Sequence, residues 1–175
     1  SSRHPQIKDF LFGIRNNVEI FDLEKVSEKL NEAKEFVKNL AKEKKMILFV
    51  GTKFEAKKPV ENAANEIEMP YITERWLGGT LTNFRAIRKR GEYLESLLSQ
   101  KESGELESKY TKKERMLLEK DIVKLQRYFD GLKKMKNLPS ALLIIDPQQE
   151  DSATEEARRT SIPTVGIVNS DCNPN

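Results

Sequence analysis

Met46-Ile47-Leu48-Phe49-Val50, followed at once by Gly51-Thr52-Lys53, is the stretch that decides the fold. An unbroken apolar run of strand length has no polar face to turn to water, so it reads as a strand buried on both faces of a parallel sheet. The turn at Gly51 predicts a helix from about Ala56 to Ile67, and strand, turn and helix in that order mark a βα unit. The signature returns in Ala141-Leu142-Leu143-Ile144-Ile145-Asp146, ahead of an acidic helix over Asp151–Thr160. Thr164-Val165-Gly166-Ile167-Val168, behind Pro163, reads as a last strand, and Tyr71-Ile72 as a short one. Upstream, Val18-Glu19-Ile20-Phe21-Asp22-Leu23 alternates as a strand does. Leu23, Val26, Leu30, Ala33, Val37 and Leu40 then recur at steps of three and four, which predicts a helix capped by Asp22.

Between the sheet signals lies a different rhythm. Arg75-Trp76-Leu77-Gly78-Gly79-Thr80-Leu81-Thr82-Asn83-Phe84 follows neither the strand nor the helix period and reads as a structured loop. Phe84, Ile87, Leu94, Leu97 and Leu98 mark one helix, and Leu118, Ile122, Leu125, Phe129 and Leu132 a second. Ser103-Gly104 breaks the chain between them, and Thr111-Lys112-Lys113-Glu114 has the form of a capping box. Two striped helices around a polar turn predict an antiparallel helical hairpin whose stripes pack on each other. The chain is therefore expected to be α/β, with residues 1–84 and 137–175 forming the sheet domain and 85–136 inserted as the hairpin.

A length of 175 residues suits one domain, or one domain with an appendage. Hydrophobic residues make up 37% and charged residues 34%, enough for a core but with a large solvated or ligand-facing surface. The apolar runs are too short to span a bilayer, and Ser1-Ser2-Arg3-His4-Pro5 lacks a signal-peptide pattern, so neither a transmembrane nor a secreted protein is expected unless processing has removed a leader. One cysteine, Cys172, and one histidine, His4, allow no internal disulfide and none of the usual structural zinc sites. They also argue against a Ser-His-Asp or Cys-His nucleophile. The net charge is +3, unevenly spread. Residues 146–175 hold two basic and six acidic residues, −4, which leaves +7 on residues 1–145. That asymmetry suits either a basic face for a polyanion with an acidic end turned away from it, or a merely solvated surface, and composition alone leaves both open.

The chemistry-bearing motifs are few. Val50-Gly51-Thr52-Lys53-Phe54 has one glycine and matches neither G-x-G-x-x-G nor G-x-x-x-x-G-K-[ST], so it reads as a tight turn. Lys53, Lys57 and Lys58 could still meet phosphates of another kind. Glu155-Glu156, and Asp146 with Asp151, read as acids favouring a helix N-terminus rather than a metal or glycosidase site. Cys172 has no histidine near it and reads as a non-catalytic thiol. The central loop is richer. Gly78-Gly79 permits close backbone approach, and Arg75, Thr80, Thr82, Asn83 and Arg85 are suited to phosphate and sugar contacts. Arg85, Arg88 and Lys89 share one helix face, opposite Phe84, Ile87, Gly91 and Leu94, and Arg90 adds charge. A solvated basic helix would look the same, so residues alone leave both readings open. For Trp76, packing beneath the Gly-Gly turn is expected, with stacking on an exposed base as the alternative.

Arg75-Trp76-Leu77-Gly78-Gly79-Thr80-Leu81-Thr82-Asn83-Phe84 closely resembles the most distinctive motif of the small-subunit ribosomal protein S2 family. Phe12-Gly13-Ile14-Arg15-Asn16, Ile20–Lys25, Phe49–Lys53, Lys134–Pro139, Ile162–Val165 and Asp171–Pro174 agree in order, so the resemblance covers essentially the whole chain. The long hairpin resembles the bacterial and organellar branch. Relative to that family the chain is expected to lack a Gly/His/Phe-rich opening and a Gly-Asn-Asp-containing stretch beyond Asn175. The resemblance implies a flavodoxin-like, three-layer parallel sheet with a protruding coiled-coil hairpin. It implies binding to small-subunit rRNA near the head–body junction, contacts with neighbouring small-subunit proteins, and a role in bringing in ribosomal protein S1. The RNA-binding set would then be Arg15, Asn16, Lys53, Lys57, Arg75, Trp76, Thr80, Thr82, Asn83, Arg85, Arg88, Lys89 and Arg90. No catalytic residue, metal, cofactor, membrane or small-molecule substrate is expected. The setting is a cytoplasmic ribosome, with an organellar one as the alternative. Two competing readings are a cytosolic α/β nucleotide-binding protein or enzyme, and a coiled-coil adaptor with the sheet as its mount.

Overall fold

A computed structural model describes residues 5–170 and Cys172; His4, Asp171 and the Asn173-Pro174 part of the last motif lie outside the described residues. Four parallel strands form the central sheet: β3 (Ile47–Val50), β4 (Tyr71–Ile72), β5 (Ala141–Ile145) and β6 (Thr164–Ile167), in the order β4-β3-β5-β6. Every residue of β3 is buried, as its unbroken apolar run requires. Its register sets Ile47 beside Ala141 and Val50 beside Ile144.

Alternation along the strands sorts the core into two layers. Leu48, Val50, Leu142 and Ile144 face the side covered by α3 (Phe84–Glu102), α5 (Lys112–Phe129) and α6 (Asp151–Arg159). Ile47, Phe49, Leu143 and Ile145 face the other side, covered by α2 (Phe54–Glu66) and the C-terminal half of α1 (Leu23–Lys42). The α2 layer sits very close to the sheet at Gly51. A Cβ there would stand 2.9 Å from Val60 Cγ2 and 3.2 Å from Ala56 Cβ. Close helix–strand packing, rather than phosphate binding, accounts for that glycine.

The segment 85–136 holds one helix more than its stripes suggest. α3 and α5 pack against each other, but Gly104, at φ 75°, opens the short helix α4 (Glu105–Lys109), which buries Leu106 between them. Thr111 starts α5 with the expected capping box: the Glu114 backbone N–H donates to Thr111 Oγ1, and Thr111 N donates to the Glu114 carboxylate at 2.8 Å. Leu132 belongs to a 3-10 turn, Asp130–Leu132, after α5 has ended. Leu94, Leu97, Leu106 and Ile122 continue into Ile87, Phe129, Leu132 and Met135 and on to the sheet as one buried cluster.

The N-terminal region differs from expectation. The strand at Val18 exists, as β2 (Val18–Phe21), but it pairs antiparallel with β1 (Leu11–Arg15) instead of joining the parallel sheet. Asn16 and Asn17 form the two-residue turn with φ of 50° and 59°, the left-handed pair that a tight hairpin demands and that asparagine tolerates. Asp22 caps α1, accepting from Glu24 N at 3.1 Å. Yet no residue of α1 is fully buried, and Leu23, Val26 and Leu30 are exposed; only Val37 and Leu40 reach the core. Among the described residues no helix is long and apolar enough to cross a membrane.

Candidate nucleic-acid interface

The loop Arg75–Asn83 carries β4 into α3, and one carboxylate organises it. Glu156, buried on α6, accepts from Trp76 Nε1 at 3.0 Å and from Gly79 N at 2.7 Å through one oxygen. Its other oxygen accepts from Leu81 N at 2.9 Å, Thr82 N at 3.0 Å and Thr82 Oγ1 at 3.0 Å. A loop without secondary structure must find acceptors for its buried N–H groups elsewhere, and here a single side chain supplies them. Burial opposes ionisation of Glu156, but the bonds from Trp76 and from the Thr82, Leu81 and Gly79 backbone outweigh it and hold the carboxyl below its ordinary value. Gly79 takes φ 90°, a conformation that lets its N–H join the set without strain.

This anchor fixes where α3 begins. Thr80 Oγ1 donates to Leu77 O at 2.6 Å and Asn83 N to Gly79 O at 2.8 Å, so the turn closes tightly on the first residue of the helix. Ile87 then points into the core, and Arg85, Arg88, Lys89 and Arg90 are exposed on the remaining faces. Arg88 donates from Nε to Glu92 at 3.0 Å and from Nη1 to the Lys136 carbonyl at 3.3 Å. That second bond draws Lys133, Lys134 and Lys136, all exposed, alongside the α3 N-terminus.

The residues expected to touch RNA thus divide. Arg75, Asn83, Arg85, Arg88, Lys89 and Arg90 present exposed side chains around the loop and the first turns of α3. Trp76 is buried, as the expected packing requires, and Thr80 is wholly buried, so both shape the loop from within; Thr82 is exposed, but its hydroxyl is bound to Glu156. Lys53 and Lys57 sit at the C-terminal ends of the strands. Lys53 Nζ lies 3.2 Å from Asp146, and Lys57 Nζ lies 2.8 Å from Glu74, which Arg127 also reaches at 2.7 Å. The bond from Lys57, with help from Arg127 and against some burial, keeps the Glu74 carboxyl below its usual range. Lys57, Glu74 and Arg75 line a crevice of about 550 Å³ with Thr52 and Glu150. Glu150 itself is buried and accepts from Thr52 N at 2.8 Å. Arg15 and Asn16 stand exposed at the β1–β2 turn, on a separate element.

Two contributions were not visible in the sequence. Lys133, Lys134 and Lys136 come from a loop far along the chain, and only the run of lysines hints at them. Glu156, expected as an acid favouring a helix N-terminus, lies beyond the first turn of α6, where Asp151 sits. Its partners are 74 to 80 residues away. Glu155, its neighbour, turns outward to Arg158 and Arg159, at 2.8 and 2.9 Å. Cys172 is buried; that burial, with Asp146 at 3.5 Å, pushes its thiol up, the opposite of an activated nucleophile.

A family model described as Ribosomal protein S2 matches residues 1–175. A relative from Coprothermobacter proteolyticus, named small ribosomal subunit protein uS2, is 39% identical over 171 residues, covering 98% of this chain and 63% of its own length. A relative of the same name from Dictyoglomus thermophilum is 42% identical over 170 residues, covering 97% of this chain and 69% of its own. The chain therefore spans somewhat under two thirds of the length of the first of these relatives.

Proposed function

Because the chain belongs to the ribosomal protein S2 family, we propose that it is a non-enzymatic structural constituent of the small ribosomal subunit, holding folded rRNA against the basic face of α3. The observation that carries this reading is the Glu156 anchor. A long basic helix tethered only at its middle would be a poor docking surface, whereas α3 leaves a loop whose donors are already satisfied. Arg85, Arg88, Lys89 and Arg90 are therefore held in register with one another and with Lys134 and Lys136. Fixed cations suit a polyanion of fixed shape, and RNA helices are recognised mainly through shape, phosphates and 2′-hydroxyls. Arg75 and Asn83 extend the surface across the loop. Arg15, Asn16, Lys53 and Lys57 would be outlying contacts, the last two reached only by competing with Asp146 and Glu74.

Neighbouring small-subunit proteins, ribosomal protein S1 among them, are the proposed partners of the N-terminal region. Phe12, Ile14, Val18, Leu23 and Leu30 are exposed on the β1–β2 hairpin and α1, and exposed apolar side chains in such number suit a protein contact. Residues 85–136 are proposed as an insertion into the sheet domain formed by 1–84 and 137–175, and the setting is a cytoplasmic ribosome. Co-sedimentation tests the whole reading against a nucleotide-binding protein. The chain should travel with small ribosomal subunits depleted of their own S2 and should show no saturable ATP, GTP or NAD binding by calorimetry. Micromolar nucleotide affinity without subunit association would overturn it.

A further inference from the structure

Gly91 lies in the interior of α3, where glycine costs roughly 0.5–1 kcal/mol relative to alanine. Such a glycine usually has a packing reason. Here none exists: a Cβ at Gly91 would meet only Phe129 Cδ1, at 3.8 Å, an ordinary contact. What the missing side chain does is leave open a groove of about 260 Å³ between α3 and the segment that follows α5. Its floor is apolar, built from Ile87, Leu94, Phe129 and Leu132, with Phe84 at one side. Arg88, Lys133 and Lys136 line it as well, the same cations that adjoin the proposed RNA surface. Glu92 and Glu95 are its acidic members; Glu92 is paired with Arg88, and Lys133 with Asp130 at 2.7 Å.

From this placement we propose that the groove receives a single unstacked nucleotide of the bound RNA, its base on the apolar floor and its phosphate among Arg88, Lys133 and Lys136. The inference rests on the RNA-binding reading above and names a subsite within it. The volume falls just below the about 300–1,000 Å³ of pockets for drug-sized ligands, which suits one base rather than a whole ligand. Proteins hold unpaired RNA bases by stacking them on aromatic side chains and reading their edges. Phe84, only partly buried, provides an accessible ring, whereas Phe129 is almost wholly buried, and the carboxylates of Glu92 and Glu95 can accept from base N–H groups. Charge complementarity favours this occupant over an apolar peptide side chain, because the lining sets three cations against the two carboxylates of Glu92 and Glu95, a net positive charge that an anionic nucleotide meets and a neutral guest does not.

Gly91→Leu fills the groove while adding a better helix former, so it should melt no lower than the parent chain. In a salt titration against a small-subunit rRNA fragment, its affinity should fall roughly tenfold or more, the scale of one lost base stack. The slope of log K against log[salt] should flatten by no more than about 1, because evicting one nucleotide removes at most its single phosphate contact. Wild-type affinity in Gly91→Leu would overturn the nucleotide subsite even if the basic face binds RNA. Normal RNA binding by this variant combined with failed entry into subunits would assign the groove to a protein instead. If the parent chain itself binds no rRNA, the functional reading fails and the subsite with it.

Discussion

Helices α1 and α3 carry apolar residues at the same spacing and meet opposite fates. On α3, Ile87, Leu94 and Leu97 are buried; on α1, Leu23, Val26 and Leu30 stay in water. The cause lies in what each helix is tied to. α3 leaves a loop bolted to α6 through Glu156 and lies against α5, so its stripe has a place to go. α1 is held at its start by the Asp22 cap and by the bonds from Asp22 N to Phe10 O at 2.8 Å and from Lys25 Nζ to Asp9 O at 2.6 Å, which link it to the 3-10 turn Pro5–Phe10 that precedes β1. Periodicity tells which face of a helix is apolar, not whether this chain supplies the cover. The covered helix presents exposed cations at its start, and the uncovered half of α1 presents apolar side chains to water.

The largest effect should come from breaking the anchor. Glu156→Ala strips the acceptor from Trp76 Nε1, three backbone N–H groups and the Thr82 hydroxyl, and should cost at least about 3 kcal/mol in urea unfolding. Glu156→Gln should cost less but still destabilise, because its amide NH₂ must face donors. A loss below about 1 kcal/mol for the alanine variant would mean that the loop is held by packing alone.

The same residue gives a pH signature. Its carboxyl sits lower in the folded chain than the about 4.3 of an unfolded glutamate. The stability it contributes is therefore complete above that value and is lost as pH falls through the lower, folded one. Glu74, Glu114 and Glu155 shift the same way, so the test is the difference between the parent chain and Glu156→Gln. The gap between their unfolding free energies should be constant at neutral pH and narrow below about pH 4. A gap that widens on acidification would contradict the ionised anchor.

Much of the sheet could be read directly from the chain, because a strand buried on both faces must be apolar throughout, as Ile47–Val50 and Ala141–Ile145 are. The α5 start was legible for a similar reason: a capping box is a local bond between Thr111 and Glu114. What escaped was non-local or weakly signalled. The β1–β2 turn uses Asn16-Asn17 where glycine would have announced it. α4 is too short to show a period. The basic face of α3 was visible as a helical pattern, but its companions Lys134 and Lys136 and its anchor Glu156 are joined to it only by tertiary contacts. Trp76 and the threonines of the loop look like ligand-facing groups in one dimension and prove to be the loop's own fastenings in three.

The smallest expected effect lies on the uncovered side. Leu30→Ser and Phe12→Ser change residues that are 52% and 80% exposed, so each should alter the stability of the isolated chain by no more than about 0.5 kcal/mol. Co-sedimentation with subunits should nevertheless weaken for both. A stability loss above about 2 kcal/mol would show that this surface packs within the chain in solution.

The most direct measurement of the proposed function is the salt dependence of rRNA binding after Arg85, Arg88 and Lys89 are all changed to Gln. These side chains are exposed, so the variant should melt close to the parent chain. If each neutralises one phosphate, removing three should flatten the slope of log K against log[salt] by about 2 to 3 units and lower affinity across rRNA fragments broadly. An unchanged slope in a well-folded variant would contradict the basic face of α3 as the RNA surface.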